Sequence, residues 1–132
     1  MSYTFGAVLV GLAYLFGTGA MAFGLNAILR PTQGLSFFEL KPPKQGTPER
    51  TTVEALMVIY GVRDVFMGFV VWIAGLSGST QTLGWIILAG SGVALGDGYV
   101  CLRFVGRGQG AHWACVPVFA IIGGLLILGW AS

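Results

Sequence analysis

An arginine and an aspartate lie side by side inside an otherwise apolar run, "YGVRDVFMGFVVW", where they are Arg63 and Asp64. Carboxyl and guanidinium groups in an apolar setting can transfer protons and stabilise developing charge, which is the chemistry of cofactor-free acid/base catalysis. Asp97 adds a second carboxyl group and His112 adds an imidazole that can relay protons. We therefore interpret Asp97, Asp64, Arg63 and His112 as candidate catalytic residues.

The composition indicates that these groups lie in a membrane. Hydrophobic residues make up 55% of the 132-residue chain and charged residues only 9%, whereas ordinary soluble domains have about 25% charged residues. So few charges cannot cover the surface of a soluble protein, so the lipid bilayer is the expected partner. The net charge of +2 is too small to indicate nucleic acid binding.

Four apolar stretches are long enough to span a bilayer, which takes about 20 residues. They cover residues 4–29, 52–76, 82–102 and 112–130. The first lacks a basic leader, so we interpret it as a mature helix rather than a signal peptide. The predicted fold is an all-α membrane protein, a four-transmembrane-helix bundle in a single domain over residues 1–132. The connection 30–50 is expected to be either a partly ordered loop or a lid over a site between the helices.

The basic residues outside the spans all fall on one side of the predicted bundle. Four lie in or beside loop 30–50 and two at the third connection: Arg30, Lys41, Lys44, Arg50, Arg103 and Arg107. The positive-inside rule then places loops 30–50 and 105–111 in the cytoplasm and both termini on the opposite side. In a eukaryote the expected membrane is the endoplasmic reticulum.

Helical rise places Arg63 and Asp64 roughly 17 Å into the bilayer, where an ionised group needs a partner. Adjacent residues on a helix point about 100° apart, so we expect each to pair with another helix. Arg63 is expected to pair with Asp97, and Asp64 with Arg103 or His112. Other polar residues that could line the same half of the bundle and bind a substrate are Tyr60, Tyr99, Glu54, Arg103, Asn26 and Tyr14.

Several classes of site have no sequence signature. The chain contains no GxGxxG, P-loop, HExxH, CxxC or GxSxG motif. Cys101 and Cys115 form no metal or redox motif, and the chain has a single histidine. We therefore expect neither a cofactor nor a metal ion.

The motif "GVRDVFMG", together with "GDGYVCLRF" and "GAHW", resembles a family of small four-helix integral membrane proteins of unassigned function. The shared pattern is G-x-R-D-x-x-x-G in helix 2, an aspartate in helix 3 and a histidine at the start of helix 4. Here these positions are Gly61, Arg63, Asp64, Gly68, Asp97, Arg103 and His112. The resemblance implies the four-helix fold. Its fungal members lie near pathways of secondary metabolite biosynthesis, which implies a terpenoid or polyketide substrate.

Three functions remain open. The first is an intramembrane isomerase, cyclase or epoxide hydrolase acting on a lipophilic small molecule by acid/base catalysis. The second is a proton-coupled transporter, although small multidrug transporters carry an essential glutamate in their first helix and none occurs here. The third is a non-catalytic scaffold. The charged pair could also merely fix helix register, but glycine contacts such as Gly92 with Gly96 could hold the bundle without it. A homodimer is compatible with so narrow a bundle.

Overall fold

Four helical segments of the chain are long and apolar enough to cross a membrane: Thr4–Leu29, Pro48–Leu76, Thr80–Val105 and Gln109–Ile127. The computed structural model describes residues 3–130, which are mostly α-helical and contain no β-strand. The chain is thus an all-α membrane protein, a four-helix bundle. Its helices are α1 Tyr3–Leu29, α2 Pro31–Gly34, α3 Pro48–Leu76, α4 Thr80–Val100, α5 Gln109–Trp113 and α6 Cys115–Ile127.

The ends of the central helices follow from local sequence. Thr47 caps α3 by accepting a hydrogen bond from the backbone N–H of Arg50 at 3.3 Å, and Pro48 starts the helix, where the missing N–H costs nothing. Ser79 caps α4 in the same way through Thr82. Gly78 closes the turn before it with φ 77°, a left-handed conformation that favours glycine.

Glycines join the helices into two antiparallel pairs. In the pair α1–α3, a Cβ atom added at Gly61 would meet Gly24, and one at Gly68 would meet Gly17. In the pair α4–α6, Gly84 and Gly123 have the same relation. Small residues let the backbones approach this closely. The expected glycine contact is corrected, however, since both Gly92 and Gly96 are exposed and border open space.

The fourth span is divided. Its first turns form α5, the helix is interrupted at Ala114, and α6 continues from Cys115. Pro117 lies two residues into α6 and lacks an N–H to bond the carbonyl one turn earlier. The third span also changes geometry, because α4 continues as a π-helical turn over Cys101–Val105. This turn begins one helical turn after Asp97, and π-turns in helices are frequent at functional sites.

The connection between α1 and α3 folds onto the bundle. After α2 it forms a 3₁₀ turn, Leu35–Phe38, in which Leu35 and Phe38 are buried. They pack with Ala27, Met57 and Cys101 in a small apolar core. A larger apolar core, which includes Ala13, Val71, Leu83 and Leu126, occupies the half nearer the termini.

Candidate functional site

Arg63 connects two carboxylates between the two cores. Its Nη1 and Nη2 donate to the two oxygens of Asp97 at 3.3 and 3.1 Å, which is a bidentate pair between α3 and α4. Its Nε and Nη2 also donate to Oδ1 of Asp64 at 3.2 and 3.1 Å. The guanidinium lies over the ring of Tyr60, 4.4 Å from its centroid. The rigid fork of arginine suits this geometry, because it can engage two planar carboxylates along different edges.

The expected pairing with Asp97 is confirmed, but the prediction that Arg63 and Asp64 would not pair with each other is wrong. The backbone directions of adjacent residues do diverge. The arginine side chain is nevertheless long enough to fold back over the next residue while its outer edge reaches α4. One guanidinium therefore replaces the two separate pairs that the sequence predicted.

The cluster carries an excess negative charge when all three groups are ionised, because one cation faces two carboxylates. The side chains of Asp64 and Asp97 are only 11% and 16% exposed. The other arginines that make ion pairs do so elsewhere: Arg50 with Glu54 and Arg107 with Glu39. Such an excess in an apolar setting is costly unless a proton or a bound cation neutralises it.

An apolar cavity of about 230 Å³ lies beside this cluster. α3 and α4 are antiparallel, so the register that pairs Arg63 with Asp97 also places Met67 opposite Val93 and Val70 opposite Gly90. All four of these residues line the cavity. At 1.5 Å rise per residue, the end of the cavity that is nearer the cluster lies about 6 Å from the ion pair along both helices. Phe66, which also lines it, is exposed, so the cavity opens toward the lipid-facing side.

Asp64 is directed toward α1 rather than α4. Because Gly17 faces Gly68 and Gly24 faces Gly61, the antiparallel register places Asp64 level with Met21. Ala20, next to Met21, lines the cavity. The two carboxylates thus flank the same end of the cavity from different sides.

His112 does not reach either carboxylate, so its predicted pairing with Asp64 is corrected. Its Nε2 is 3.0 Å from the backbone oxygen of Phe37. Its ring stacks on Phe38 with centroids 5.2 Å apart. Phe38 in turn packs edge-to-face on Tyr60, so His112 holds the folded connection over the side of the cluster that carries Tyr60. The short α5 places the ring there, because it begins only after the glycine turn that follows α4.

The remaining predicted residues are not brought to the cluster. Tyr14 packs against Trp72 at 4.4 Å, near the opposite end of α3. Tyr99 is exposed on the outer face of α4. Arg103, expected to pair with Asp64, is instead over the ring of Phe104. Asn26 is half-buried in the last turn of α1. Glu54 pairs with Arg50, as helical neighbours four residues apart do.

Two groups of site residues were missed in the sequence. Phe38 contacts both Tyr60 and His112, and its position in a connection that contains prolines and glycines gave no signal of burial. Phe16, Phe66 and Phe119 line the cavity; the signal was their presence on three different spans, but only the register shows that they converge. Within residues 3–130, no three histidine, cysteine or acidic side chains lie close enough to hold a metal ion.

Comparison with known proteins assigns the chain to a family whose function is unknown. No curated protein and no solved structure matches the chain. Residues 17–126 match the family model described as Domain of unknown function (DUF4267). That range includes every residue of the Arg63 cluster and, except for Phe16, of the cavity lining. The chain belongs to the DUF4267 family.

Proposed function

We propose that the protein is a small intramembrane enzyme that performs cofactor-free acid/base chemistry on a lipophilic metabolite. The reaction class is isomerisation, cyclisation or epoxide opening. One observation carries the proposal: the apolar cavity ends about one helical turn from Arg63, Asp64 and Asp97. A lipophilic molecule in that cavity would place a reactive group near this polar cluster.

The two carboxylates differ in a way that assigns their roles. Asp97 accepts from Arg63 through both oxygens, which fixes its carboxylate between α3 and α4, and it serves as the base. Asp64 accepts from the guanidinium through Oδ1, which leaves Oδ2 free of Arg63. The proton that neutralises the excess charge then belongs on Asp64, which serves as the acid. Arg63 orients both groups and stabilises negative charge as it develops.

The residues around the cluster have positioning roles in this proposal. The ring of Tyr60 packs against the face of the Arg63 guanidinium. Phe38 packs on Tyr60, and His112 stacks on Phe38. His112 is assigned no proton transfer, because its ring is engaged with Phe37 and Phe38.

The transfer of hydrogen from the solvent to a lipophilic compound tests the enzymatic function. The purified protein in lipid nanodiscs is incubated in D₂O with a lipophilic extract of its host, and mass spectrometry is used to find compounds that gain carbon-bound deuterium. We expect such a compound with the native chain. Asp64→Asn and Asp97→Asn are expected to abolish the gain. Glu49→Gln, the same chemical change at an exposed site in the first turn of α3, should preserve it.

Two results would contradict the enzyme. If both Asn variants incorporate deuterium as the native chain does, the carboxylates are structural. If no compound is altered but a lipophilic compound crosses sealed vesicles together with protons, the cluster belongs to a transporter.

We also propose that the connection between α1 and α3 faces the cytoplasm, because the basic residues outside the spans lie on that side of the bundle. Lys41 and Lys44, the only lysines of the chain, are both exposed there. A membrane-impermeant amine reagent added to sealed inverted vesicles should modify both. If the reagent instead modifies the two lysines in right-side-out vesicles, the connection faces the side opposite the cytoplasm and the proposed orientation is wrong.

A further inference from the structure

We propose that the cavity binds a branched alkene or its epoxide, and that three phenylalanine rings stabilise the carbocation formed when the substrate is protonated. The inference deepens the proposed function and rests on it, because Asp64 must supply the proton. What it adds is the class of substrate and the type of intermediate.

The aromatic lining is the first observation. Phe16 from α1, Phe66 from α3 and Phe119 from α6 all line the cavity. Phe16 and Phe119 pack edge-to-face with centroids 4.8 Å apart. A cation within about 6 Å of an aromatic face is attracted by the ring quadrupole, and more strongly where water is excluded. Three helices therefore supply rings around one apolar space.

The absence of polar side chains from the cavity lining is the second observation. Every residue that lines the cavity within residues 3–130 is glycine, alanine, valine, isoleucine, methionine or phenylalanine. Apolar cavities of this kind stay dry. A carbocation formed there has no protein nucleophile within the lining and no ordered water to capture it, so an internal double bond of the substrate is the available nucleophile.

The charge of the cluster is the third observation. Once Asp64 has given up its proton, Asp64 and Asp97 together carry two negative charges against the single charge of Arg63. This excess lies about 6 Å along the helices from the end of the cavity. A cationic intermediate therefore meets complementary charge at one end and aromatic rings along its sides.

The reaction balances without a co-reactant. Asp64 transfers its proton to one carbon of the alkene, or to the epoxide oxygen, whose C–O bond then breaks. The more substituted carbon becomes the cation. A second double bond of the same molecule donates its π electrons to form a new C–C bond. Loss of a proton from a neighbouring carbon to a carboxylate restores a double bond and returns the proton, so the product is an isomer of the substrate.

A stable cation of the same shape tests the inference without knowledge of the substrate. The probes are N,N-dimethyloctylamine, which is protonated at neutral pH, and its neutral isostere 2-methyldecane. Equilibrium dialysis against protein-loaded and empty nanodiscs separates binding to the protein from partition into lipid. The variants are Phe66→Leu, which removes an exposed ring with little risk to folding, and Phe119→Leu. Phe69→Leu removes an equally exposed ring outside the cavity lining and is the matched control.

We expect the native chain to bind the amine more tightly than the hydrocarbon. Phe66→Leu and Phe119→Leu should each weaken amine binding by about fivefold to thirtyfold, leave hydrocarbon binding nearly unchanged, and differ in this from Phe69→Leu. If both variants keep the native affinity for the amine while Asp64→Asn loses it, the carboxylates alone select the cation. Aromatic stabilisation would then be refuted, whereas the acid/base function would survive. If the native chain shows no preference for the amine, the inference also fails, and the deuterium experiment still decides the enzymatic function separately.

Discussion

Removing the positive charge of the cluster should destabilise the protein far more than removing either negative charge. Arg63→Gln leaves Asp64 and Asp97 buried with no cation, although their side chains are only 11% and 16% exposed. Asp64→Asn or Asp97→Asn leaves one carboxylate against one guanidinium, which is a balanced pair. The sign of the asymmetry follows from charge arithmetic alone.

The expected magnitudes differ by several fold. Breaking a buried pair so that a charge is left unpaired costs about 3–5 kcal/mol, and we expect Arg63→Gln to fall in that range. Asp97→Asn loses two charge-assisted hydrogen bonds, but Asp64 can then ionise and pair with Arg63, so its net cost should be about 1–2 kcal/mol. Asp64→Asn is nearly isosteric with a protonated carboxyl group and should cost about 1 kcal/mol or less.

Denaturant unfolding in detergent micelles, followed by tryptophan fluorescence, measures these free energies. Arg107→Gln is the control, because Arg107 and its partner Glu39 are 70% and 46% exposed and exposed ion pairs contribute only about 0.2–1 kcal/mol. The reasoning is refuted if Asp97→Asn costs as much as Arg63→Gln. That result would mean an ordinary one-to-one ion pair between α3 and α4, with no excess charge for a proton or a substrate to neutralise.

Four further substitutions test the packing around the site. Gly68→Ala should cost about 1–3 kcal/mol of unfolding free energy, because its Cβ would meet a backbone carbonyl of α1. Gly92→Ala points into open space and should stabilise the helix by up to about 1 kcal/mol. Equal effects of the two substitutions in unfolding experiments would contradict the close contact at Gly68. Phe38→Ala removes the side chain between Tyr60 and His112 and should speed tryptic cleavage at Lys44, because local opening exposes the connection. An unchanged cleavage rate would show that Phe38 does not hold the connection in place. Gly90→Leu should fill the cavity with little loss of stability, because a Cβ at this position has only ordinary contact with Phe119. It should therefore abolish ligand binding. Retained binding would mean that the ligand binds elsewhere.

The spans were predictable, because the length of an apolar stretch and its scarcity of charged residues depend directly on the solvent that surrounds the helix. The pairing of Arg63 with Asp97 was also predictable, since an isolated charge at that depth is too costly and Asp97 was the one acid on the facing helix. The contact of Arg63 with Asp64 was not, because helical direction describes Cα–Cβ bonds and not the reach of a long side chain. The position of His112 depends on how the connection after α1 folds back, and that path has no repeating pattern in the sequence.

The cavity was beyond sequence analysis for a different physical reason. Phe16, Phe66 and Phe119 look like ordinary lipid-facing or core residues until the register of four helices is known. That register is set by close glycine contacts within the pairs α1–α3 and α4–α6, whereas α3 and α4 are held at the site by the ion pair of Arg63 with Asp97. Gly90, opposite Val70, leaves the space next to that pair unfilled. The glycine contacts therefore hold each helix pair together, whereas the contact of α3 with α4 at the site depends on the charges of the polar cluster.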